Sequence, residues 1–362
     1  MSLKESLLAV FPVPSYIAIP SAGIDISSGS VKCLQLADTP SGMALKSYCD
    51  TDLPEGVVVD GEVEQKDKLA EILRSMRLRQ GIRHVHASLP EKKAYLYQTL
   101  VPSNSKNLRS GVEFDFETHV PLPPGEAIFD FEVVRRIEAG TIVSVTAYAK
   151  RIVAMYQDAF QQAGITLRAL EVESQALARA IIGPDDRKSV VMLIDFGRKT
   201  TRIAIAENGI VAFTATVEVG GDALTNAVMK HFNVEEPEAE EIKNDRGFLM
   251  NKENQKLVEA LMSTVSVVRD EVLSHIAYWN SAPEDNLPRR PITKVIICGG
   301  NANLRGFPEY LEGAVGLPVS VANVWVNAFA LDRYVPRMHF TESLEYATAI
   351  GLALRGRVNN IW

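Results

Sequence analysis

The chain has 362 residues, of which 46% are apolar and 23% are charged, and its formal net charge at pH 7 is −7. These values describe a globular protein that is long enough for more than one hydrophobic core. An acidic balance excludes an extended basic surface, so no nucleic-acid partner is expected.

The cysteines and the N-terminal residues indicate in which cellular compartment the protein is expected. Cys33, Cys49 and Cys298 have neither metal-ligand nor disulfide-framework spacing, which favours a reduced, cytoplasmic protein. No apolar run approaches the ~18 residues of a membrane span. Residues 1–15 carry an acid beside their only lysine and are cut by prolines, which favours an N-terminal tail over a signal peptide.

The first elements alternate between strand and helix patterns. Strand patterns occupy residues 17–19, 23–37 and 43–48, and apolar residues at helical spacing predict a helix over residues 66–80. With residues 165–190, which carry a further strand and helix, these elements predict a first domain formed by residues 16–84 and 165–190.

Residues 85–164 have a different character. They are punctuated by prolines, carry strand patterns at 94–101 and 141–149, and end in an amphipathic helix closed by Gly164. We predict a small α+β subdomain inserted into the first domain.

The second half, residues 191–362, repeats the alternation. It contains a strand at 211–219, helices opening at Gly220 and at about 236, and a long helix at 256–280. A strand near 294–298 and an alanine-rich helix at about 342–355 follow, and the latter is expected to pack back on the first domain. Strands alternating with helices in both halves predict the α/β class.

An internal repeat links the two halves. A shift of 170 positions aligns a strand that ends in aspartate, a short turn, a hydroxyl and a base. The aligned pairs are Ile24 with Ile194, Asp25 with Asp195, Ser30 with Thr200, and Lys32 with Arg202. Two such hairpins, each near the start of an α/β half, indicate a duplication that brings both turns into one cleft.

The chemistry that fits this repeat is phosphate and magnesium binding. Turn amides and hydroxyls form an anion-binding concavity, and an aspartate at each strand end can hold Mg²⁺. For either hairpin alone, the turn preference of aspartate and small polar residues is the better explanation, whereas the matching pair favours the phosphate and magnesium site. The candidate metal ligands are Asp25 and Asp195, and the candidate phosphate ligands are Ser27, Ser28, Gly29, Ser30, Lys32, Gly197, Arg198, Lys199, Thr200 and Thr201.

The two hairpins resemble the phosphate 1 and phosphate 2 motifs of actin, DnaK-type chaperones and sugar kinases. Residues 171–181 are similar to the first connecting helix of these ATPases, 296–311 to the adenosine motif, and 345–354 to the second connecting helix. The resemblance implies an actin-like fold with two domains of duplicated ribonuclease-H-like topology.

Further nucleotide ligands follow from these motifs. Glycines at the end of a strand let a nucleotide approach the backbone, and a helix beginning near Leu304 would offer its N-terminal dipole. Glu240 and Lys243 share one helix face; the matching pair in MreB and FtsA touches ribose and base, although a solvated charged helix explains them equally well. The remaining candidates are Gly220, Gly221, Gly299, Gly300, Asn301 and Asn303.

The inserted unit distinguishes among the relatives. The segments HASLP at His86 and HVPLPPGEAIFDFEVV at residues 119–134 resemble the PilM family of type IV pilus assembly proteins, with related competence and secretion systems left open. The resemblance implies a cytoplasmic protein that binds ATP and Mg²⁺ between its domains. It also implies a groove for the N-terminal cytoplasmic peptide of the inner-membrane protein PilN, so that membrane association is indirect. Other pilus platform partners and a dimer or higher oligomer stay open.

Hydrolysis is a separate expectation. Glu173 occupies the position from which hydrolysing relatives orient water, but it could equally cap the following helix. Ser27 stands where relatives have glycine, and Arg198 and Lys199 replace small residues. We therefore expect ATP binding with slow or absent turnover.

Two alternative functions come from other classes. One is an FtsA-like actin homologue that forms membrane-tethered filaments, and the other is a sugar or acetate kinase of the same superfamily. No acceptor-substrate base is placed for the kinase reaction, and the small inserted unit is unlike the kinase elaborations.

Overall fold

The computed structural model describes residues 20–123, 125–281, 287–355 and 357. The predicted tail over residues 1–15 and the strand pattern at 17–19 lie outside the described residues.

The described chain alternates between strands and helices, as the sequence predicts. The strands are β1 (Ala22–Ile26), β2 (Ser30–Thr39), β3 (Gly42–Asp52), β4 (Val58–Val59), β5 (Glu62–Val63), β6 (His84–Leu89), β7 (Tyr95–Pro102), β8 (Ala127–Ile137), β9 (Gly140–Ala149), β10 (Thr166–Val172), β11 (Val190–Phe196), β12 (Thr201–Glu207), β13 (Ile210–Val217), β14 (Lys294–Cys298) and β15 (Val319–Val321). The α-helices are α1 (Lys66–Gln80), α2 (Leu108–His119), α3 (Lys150–Gln162), α4 (Glu173–Ile181), α5 (Gly221–Phe232), α6 (Glu236–Arg246), α7 (Gln255–Asn280), α8 (Phe307–Val315), α9 (Phe340–Ser343) and α10 (Ala347–Leu354).

Two five-stranded sheets have the same topology. The first has the order β10-β6-β1-β2-β3, and the second, taken in the same direction, has the order β15-β14-β11-β12-β13. In each sheet an antiparallel hairpin forms the centre, and its first strand pairs in parallel with a strand that arrives after helices. The predicted actin-like α/β fold with a duplicated core is therefore confirmed.

The register of the hairpins reproduces the sequence repeat. Asp25 lies opposite Lys32 in the first hairpin, and Asp195 lies opposite Arg202 in the second. Directly opposed residues of an antiparallel pair project from the same face of the sheet. Each half therefore presents one acid beside one base at the end of its central strand.

The inserted subdomain is narrower than the predicted 85–164. Its sheet has the order β7-β9-β8, and Val112 of α2 packs on Val101, Val143 and Val145 in a small separate core. By contrast, β6 pairs with β1 inside the first sheet, and the apolar face of α3 belongs to the core of that sheet. The separate unit therefore runs from β7 to β9.

Helices α4 and α10 join the two halves by close packing. A Cβ on Gly23 of β1 would lie 1.9 Å from the carbonyl oxygen of Ala349, and a Cβ on Gly351 would lie 1.7 Å from that of Ala176. The final helix thus contacts the first sheet almost backbone to backbone, as expected for residues 342–355. Among the described residues, no helix is long and apolar enough to cross a membrane.

Candidate functional site

A cleft of about 350 Å³ lies between the two central hairpins. Its walls come from the turns after β1 and β11, the start of α5, helix α6, the turn after β14 and the residues before α10. The predicted site residues that line it are Asp25, Ser27, Ser28, Gly29, Ser30, Lys32, Asp195, Gly197, Arg198, Lys199, Thr200, Gly221, Glu240, Lys243, Gly299, Gly300 and Asn301. The fold therefore brings both halves of the repeat to one place.

Three candidate nucleotide ligands do not line this cleft. Thr201 is fully buried, and its hydroxyl donates to the carbonyl of Val219 at 2.7 Å. The side chain of Asn303 donates to the carbonyl of Thr341. Gly220 is needed for packing, since a Cβ there would lie 2.5 Å from the carbonyl oxygen of Arg198.

The first turn is closed by its own serine. The hydroxyl of Ser27 donates to the carbonyl of Ser30 and accepts from the backbone N–H of Ser30, both at 3.1 Å, and of Gly29 at 3.4 Å. The backbone N–H groups of Gly29 and Ser30, which were predicted to bind phosphate, therefore donate to the Ser27 hydroxyl instead. This is the physical effect of serine at the position where relatives have glycine.

The second turn is fastened to the loop after β14. The side chain of Asn301 donates to the carbonyl of Gly197 at 2.8 Å. Gly299 has a φ of 89°, and a Cβ there would lie 2.5 Å from Oδ1 of Asp195, so only glycine lets the loop pass this carboxylate. The exposed Arg198 pairs with Asp222 at 3.1 Å.

Arg202 stands at the centre of a carboxylate cluster on the cleft floor. Its Nη1 lies 2.5 Å from Oε2 of Glu173, and its Nη2 lies 2.6 Å from Oδ2 of Asp195. Its Nε also donates to the same Asp195 oxygen at 3.2 Å. Asp25 lies nearby and accepts a 2.8 Å hydrogen bond from the hydroxyl of Ser88.

Burial dominates the acidity of this cluster. Loss of solvent raises the pKa of Glu173 to about 8, although the nearby Arg202 lowers it and the other carboxylates raise it further. Burial also raises the pKa of Asp25, and here Arg202 and Ser88 oppose the shift. Burial therefore favours the protonated forms of Glu173 and Asp25, and the nearby carboxylates reinforce this effect while Arg202 opposes it.

Glu173 does not cap helix α4, which was one of its two predicted roles. Residue Val172 precedes the helix, and no side chain at that position caps it. Instead Glu91, which is buried, accepts from the backbone N–H of Ser174 at 3.1 Å and from its hydroxyl at 2.9 Å. Glu173 is directed to Arg202 and borders a small cavity beside the cleft; its role in orienting water stays a prediction.

The aspartates as arranged do not fit a directly coordinated Mg²⁺. Such an ion needs open oxygen ligands at about 2.0–2.1 Å in octahedral geometry. One oxygen of Asp195 already accepts two N–H groups of Arg202, its other oxygen lies against Gly299, and one oxygen of Asp25 is held by Ser88. Within the described ranges, no group of three or more His, Cys, Asp or Glu side chains could hold a metal. These contacts disfavour direct coordination of Mg²⁺ by Asp25 and Asp195, and a site in which the two aspartates hold the water shell of the ion stays a prediction.

The opposite wall of the cleft carries the pair predicted on α6. The Nζ of Lys243 is buried, donates to the hydroxyl of Thr225 at 2.9 Å and lies 3.7 Å from Glu240; burial lowers its pKa. Both residues line the cleft, but the side chain of Glu240 is 53% exposed whereas that of Lys243 is 7% exposed, so a nucleotide role for the pair stays a prediction. The helix expected near Leu304 begins instead at Phe307, after a 3₁₀ turn over Gly300–Asn303. Its N-terminus does not line the cleft.

A second cavity, of about 770 Å³, lies between the inserted subdomain and the first sheet. One wall is β8, which is the edge strand of the inserted sheet, and the other is β10, which is the edge strand of the first sheet. Residues of α3 and Arg355 complete it. We call this space the groove.

The groove has apolar walls and a charged end. Ile128, Phe129 and Phe131 of β8 line one side, and Leu170 of β10 lines the other. Among the described strands, β8 pairs only with β9, and the backbone N–H of Phe131 donates to the side chain of its neighbour Asp130.

A buried ion pair closes the charged end of the groove. Glu171 pairs with Arg179 at 2.5 Å and also with Arg355. Burial of Glu171 opposes its ionisation, and the two arginines overcome that effect and lower its pKa. Arg179 also donates to the carbonyl of Gly351 on α10 at 3.1 Å, so the pair ties the groove to the final helix.

Comparison with known proteins places this fold and insertion in a family. The family described as "Type IV pilus assembly protein PilM" matches residues 23–357. The chain belongs to the PilM family. A chain of the solved "PilM-PilN type IV pilus biogenesis complex" is 22% identical to this PilM-family protein, with a TM-score of 0.73 over 93% of this chain and 98% of that one.

More distant likenesses agree with the actin-like fold. MreB 5 of Spiroplasma citri bound to AMPPNP is 13% identical, with a TM-score of 0.54 over 94% of this chain and 97% of that one. The cell division protein FtsA of Pseudomonas aeruginosa is 25% identical over 215 residues, which are 54% of this chain and 49% of FtsA. FtsA of Neisseria meningitidis is 23% identical over 60% of this chain and 54% of FtsA. The PilM-family chain thus spans about half the length of these FtsA relatives.

Sequence reasoning did not place several residues of the cleft. Arg202 was aligned with Lys32 in the repeat, and that alignment was a signal that it shares the cleft floor. Ser88, near the end of β6, and Glu91, just after it, gave no signal, because their role depends on the parallel pairing of β6 with β1. Glu345, whose Oε2 lies 3.5 Å from the Nζ of Lys32, enters only because α10 packs back on the first sheet.

Proposed function

We propose that this PilM-family protein is a cytoplasmic, nucleotide-binding scaffold of a type IV pilus assembly platform. Its groove takes the N-terminal cytoplasmic peptide of a PilN-like inner-membrane protein, which holds the scaffold at the membrane. The partner is proposed by likeness to the PilM-PilN complex, and ATP is proposed by likeness of the fold to MreB bound to AMPPNP.

The cleft supports the nucleotide half of this proposal. Both turns of the duplicated core face it, and Arg198, Lys199 and the buried Lys243 add positive charges to walls that also carry the carboxylates of Asp50, Asp52, Asp222 and Glu345. Positive side chains at the mouth of a cleft attract phosphate and keep it close to the turns. We propose that Glu240 and Lys243 contact ribose and base, as the resemblance to MreB and FtsA implies.

One observation carries the peptide half, namely that two open strand edges face the same groove. Strand β8 pairs only with β9, and β10 pairs only with β6, among the described strands. An extended peptide can add to such an edge through main-chain hydrogen bonds while its alternate side chains enter pockets. The apolar wall formed by Ile128, Phe129 and Leu170 offers those pockets.

Calorimetry with the tail peptide of the PilN-like protein from the same organism tests the groove. Ile128→Asp places a charge on the apolar wall and should weaken peptide binding by about tenfold or more, since burying a charge without a partner costs free energy. Val133→Asp is a matched control, because Val133 lies on the same strand with 42% exposure against 48% for Ile128 but does not line the groove.

Equal loss in both variants, or peptide binding that neither variant changes, would contradict a binding site in this groove. The FtsA-like alternative makes a different prediction, which is sedimentation of filaments with ATP and lipid in the absence of any PilN-like peptide. A kinase would consume ATP in the presence of a sugar or acetate.

A further inference from the structure

We propose that the guanidinium of Arg202 takes the place of a divalent metal ion in this cleft, so that the protein binds nucleotide phosphate without Mg²⁺. This inference rests on the proposed nucleotide-binding function. In it, Arg202 is the positive charge that would neutralise the bound phosphates.

The position of Arg202 is fixed by the fold. It lies opposite Asp195 in the β11–β12 ladder, so the two side chains are neighbours on one face of the sheet whether or not a ligand is bound. Its contacts to Asp195 and Glu173 are 2.6 and 2.5 Å. A metal ion that bound Asp195 directly would have to displace Arg202 from this carboxylate, and Asp25 is already held by the hydroxyl of Ser88.

Displacement of that pair is unfavourable for two reasons. Removing Arg202 would leave Glu173 and Asp195 buried with no hydrogen-bonded cation, and breaking a buried pair is strongly destabilising. Mg²⁺ also dehydrates reluctantly and prefers to keep several waters. Little space is left around Asp195, because the side chain of Arg202 and the backbone of Gly299 both lie against its oxygens.

Arg202 keeps donors for a ligand. A guanidinium carries five N–H groups, and the contacts to Glu173 and Asp195 engage one each on Nε, Nη1 and Nη2. One N–H on each Nη atom is left, and Arg202 lines the cleft. A fixed guanidinium can therefore donate to phosphate oxygens while it neutralises the aspartate beneath them.

The first hairpin shows why the two halves differ. Lys32 lies opposite Asp25 as Arg202 lies opposite Asp195, but the Nζ of Lys32 pairs with Glu345 at 3.5 Å instead. A lysine has one compact ammonium group, whereas the planar fork of arginine reaches two carboxylates at once. Only the second hairpin therefore places a basic side chain, that of Arg202, in direct contact with the buried carboxylates.

The test is calorimetric titration of the full chain with ATP, once in EDTA and once in excess Mg²⁺. The wild-type affinity should agree within about twofold between the two conditions. Arg202→Gln should lose about tenfold or more in EDTA, the usual effect of losing a charge-assisted hydrogen bond, and Mg²⁺ should restore part of that loss. Arg202→Lys should lose less than Arg202→Gln in EDTA.

Arg136→Gln is the control, because it removes one positive charge from an exposed position on β8 that does not line the cleft. Wild-type binding that falls about tenfold or more in EDTA would overturn the role of Arg202 and leave the nucleotide proposal standing. Binding in neither condition would overturn the nucleotide proposal together with this inference. If Arg202→Gln does not fold, as judged by circular dichroism, the wild-type comparison decides alone.

Discussion

Glu173 shows how one buried side chain serves the charge balance of the cleft. It begins helix α4, lies 2.5 Å from Arg202 and shares that cation with Asp195. Its pKa of about 8 is raised mainly by burial. A carboxyl group that holds a proton at neutral pH, and that is bound to a guanidinium, is poorly placed to activate water, in keeping with the slow or absent turnover that we expect.

The raised pKa of Glu173 predicts a pH dependence of stability. Between its ordinary value of 4.5 and about 8, the folded state keeps a proton that the unfolded state has lost, so stability is highest at the acid end and falls as pH rises through this range. Glu173→Gln should remove part of that fall. The measurement is the denaturation free energy in urea at intervals from pH 5 to pH 8.5.

The exposed Glu117→Gln controls for the loss of one negative charge. The neighbours Asp25, Glu91 and Asp195 and the cation of Arg202 are unchanged in both variants, so the remaining slope reports them. If the denaturation free energies of Glu173→Gln and the wild type changed in parallel with pH, the raised pKa would not belong to Glu173.

At the scale of elements, the two halves are joined by helices that touch through glycine. Gly351 of α10 faces the backbone of α4 so closely that a Cβ would lie 1.7 Å from the carbonyl oxygen of Ala176. Gly351→Ala forces the helices apart and should destabilise the protein by about 2 kcal/mol or more. Thermal unfolding should show a Tm lower by roughly 3 °C or more.

Gly313 offers the matched comparison, since it also lies in a helix but a Cβ there meets nothing within 4 Å. Gly313→Ala should raise stability by about 0.5–1 kcal/mol because alanine loses less backbone entropy in a helix. A Tm that falls equally in both variants would mean that helix contact does not explain the glycine at 351.

The sequence predicted the helices and strands better than it predicted which of them pack against each other. The repeat carried the duplicated topology, because an acid, a turn and a base at matching positions required matching hairpins. The sequence assigned β6 and α3 to the insertion, whereas in the structure β6 pairs with β1 and α3 packs in the core of the first sheet. Apolar spacing in Lys150–Gln162 indicates a buried face without showing which sheet covers it. Contacts between distant segments, such as Ser88 with Asp25, left no local pattern.

At the scale of the whole molecule, one segment connects the two cavities. Strand β10 lines the groove through Leu170 and Glu171 and passes directly into Glu173 at the cleft floor. In the proposed function, nucleotide in the cleft and peptide in the groove therefore act on the same continuous backbone. The groove itself was implied by resemblance to the PilM family, but its lining could not be derived, because it depends on how the insertion sits against the first sheet.

Hydrogen–deuterium exchange of the full chain, with and without the PilN-like tail peptide, tests the central claim most directly. Edge-strand amides exchange readily until another strand covers them. We predict that the peptide slows exchange in Ala127–Ile137, in Thr166–Val172 or in both, and leaves the exposed face of α7 unchanged. Tight peptide binding that protects neither edge strand would contradict the account.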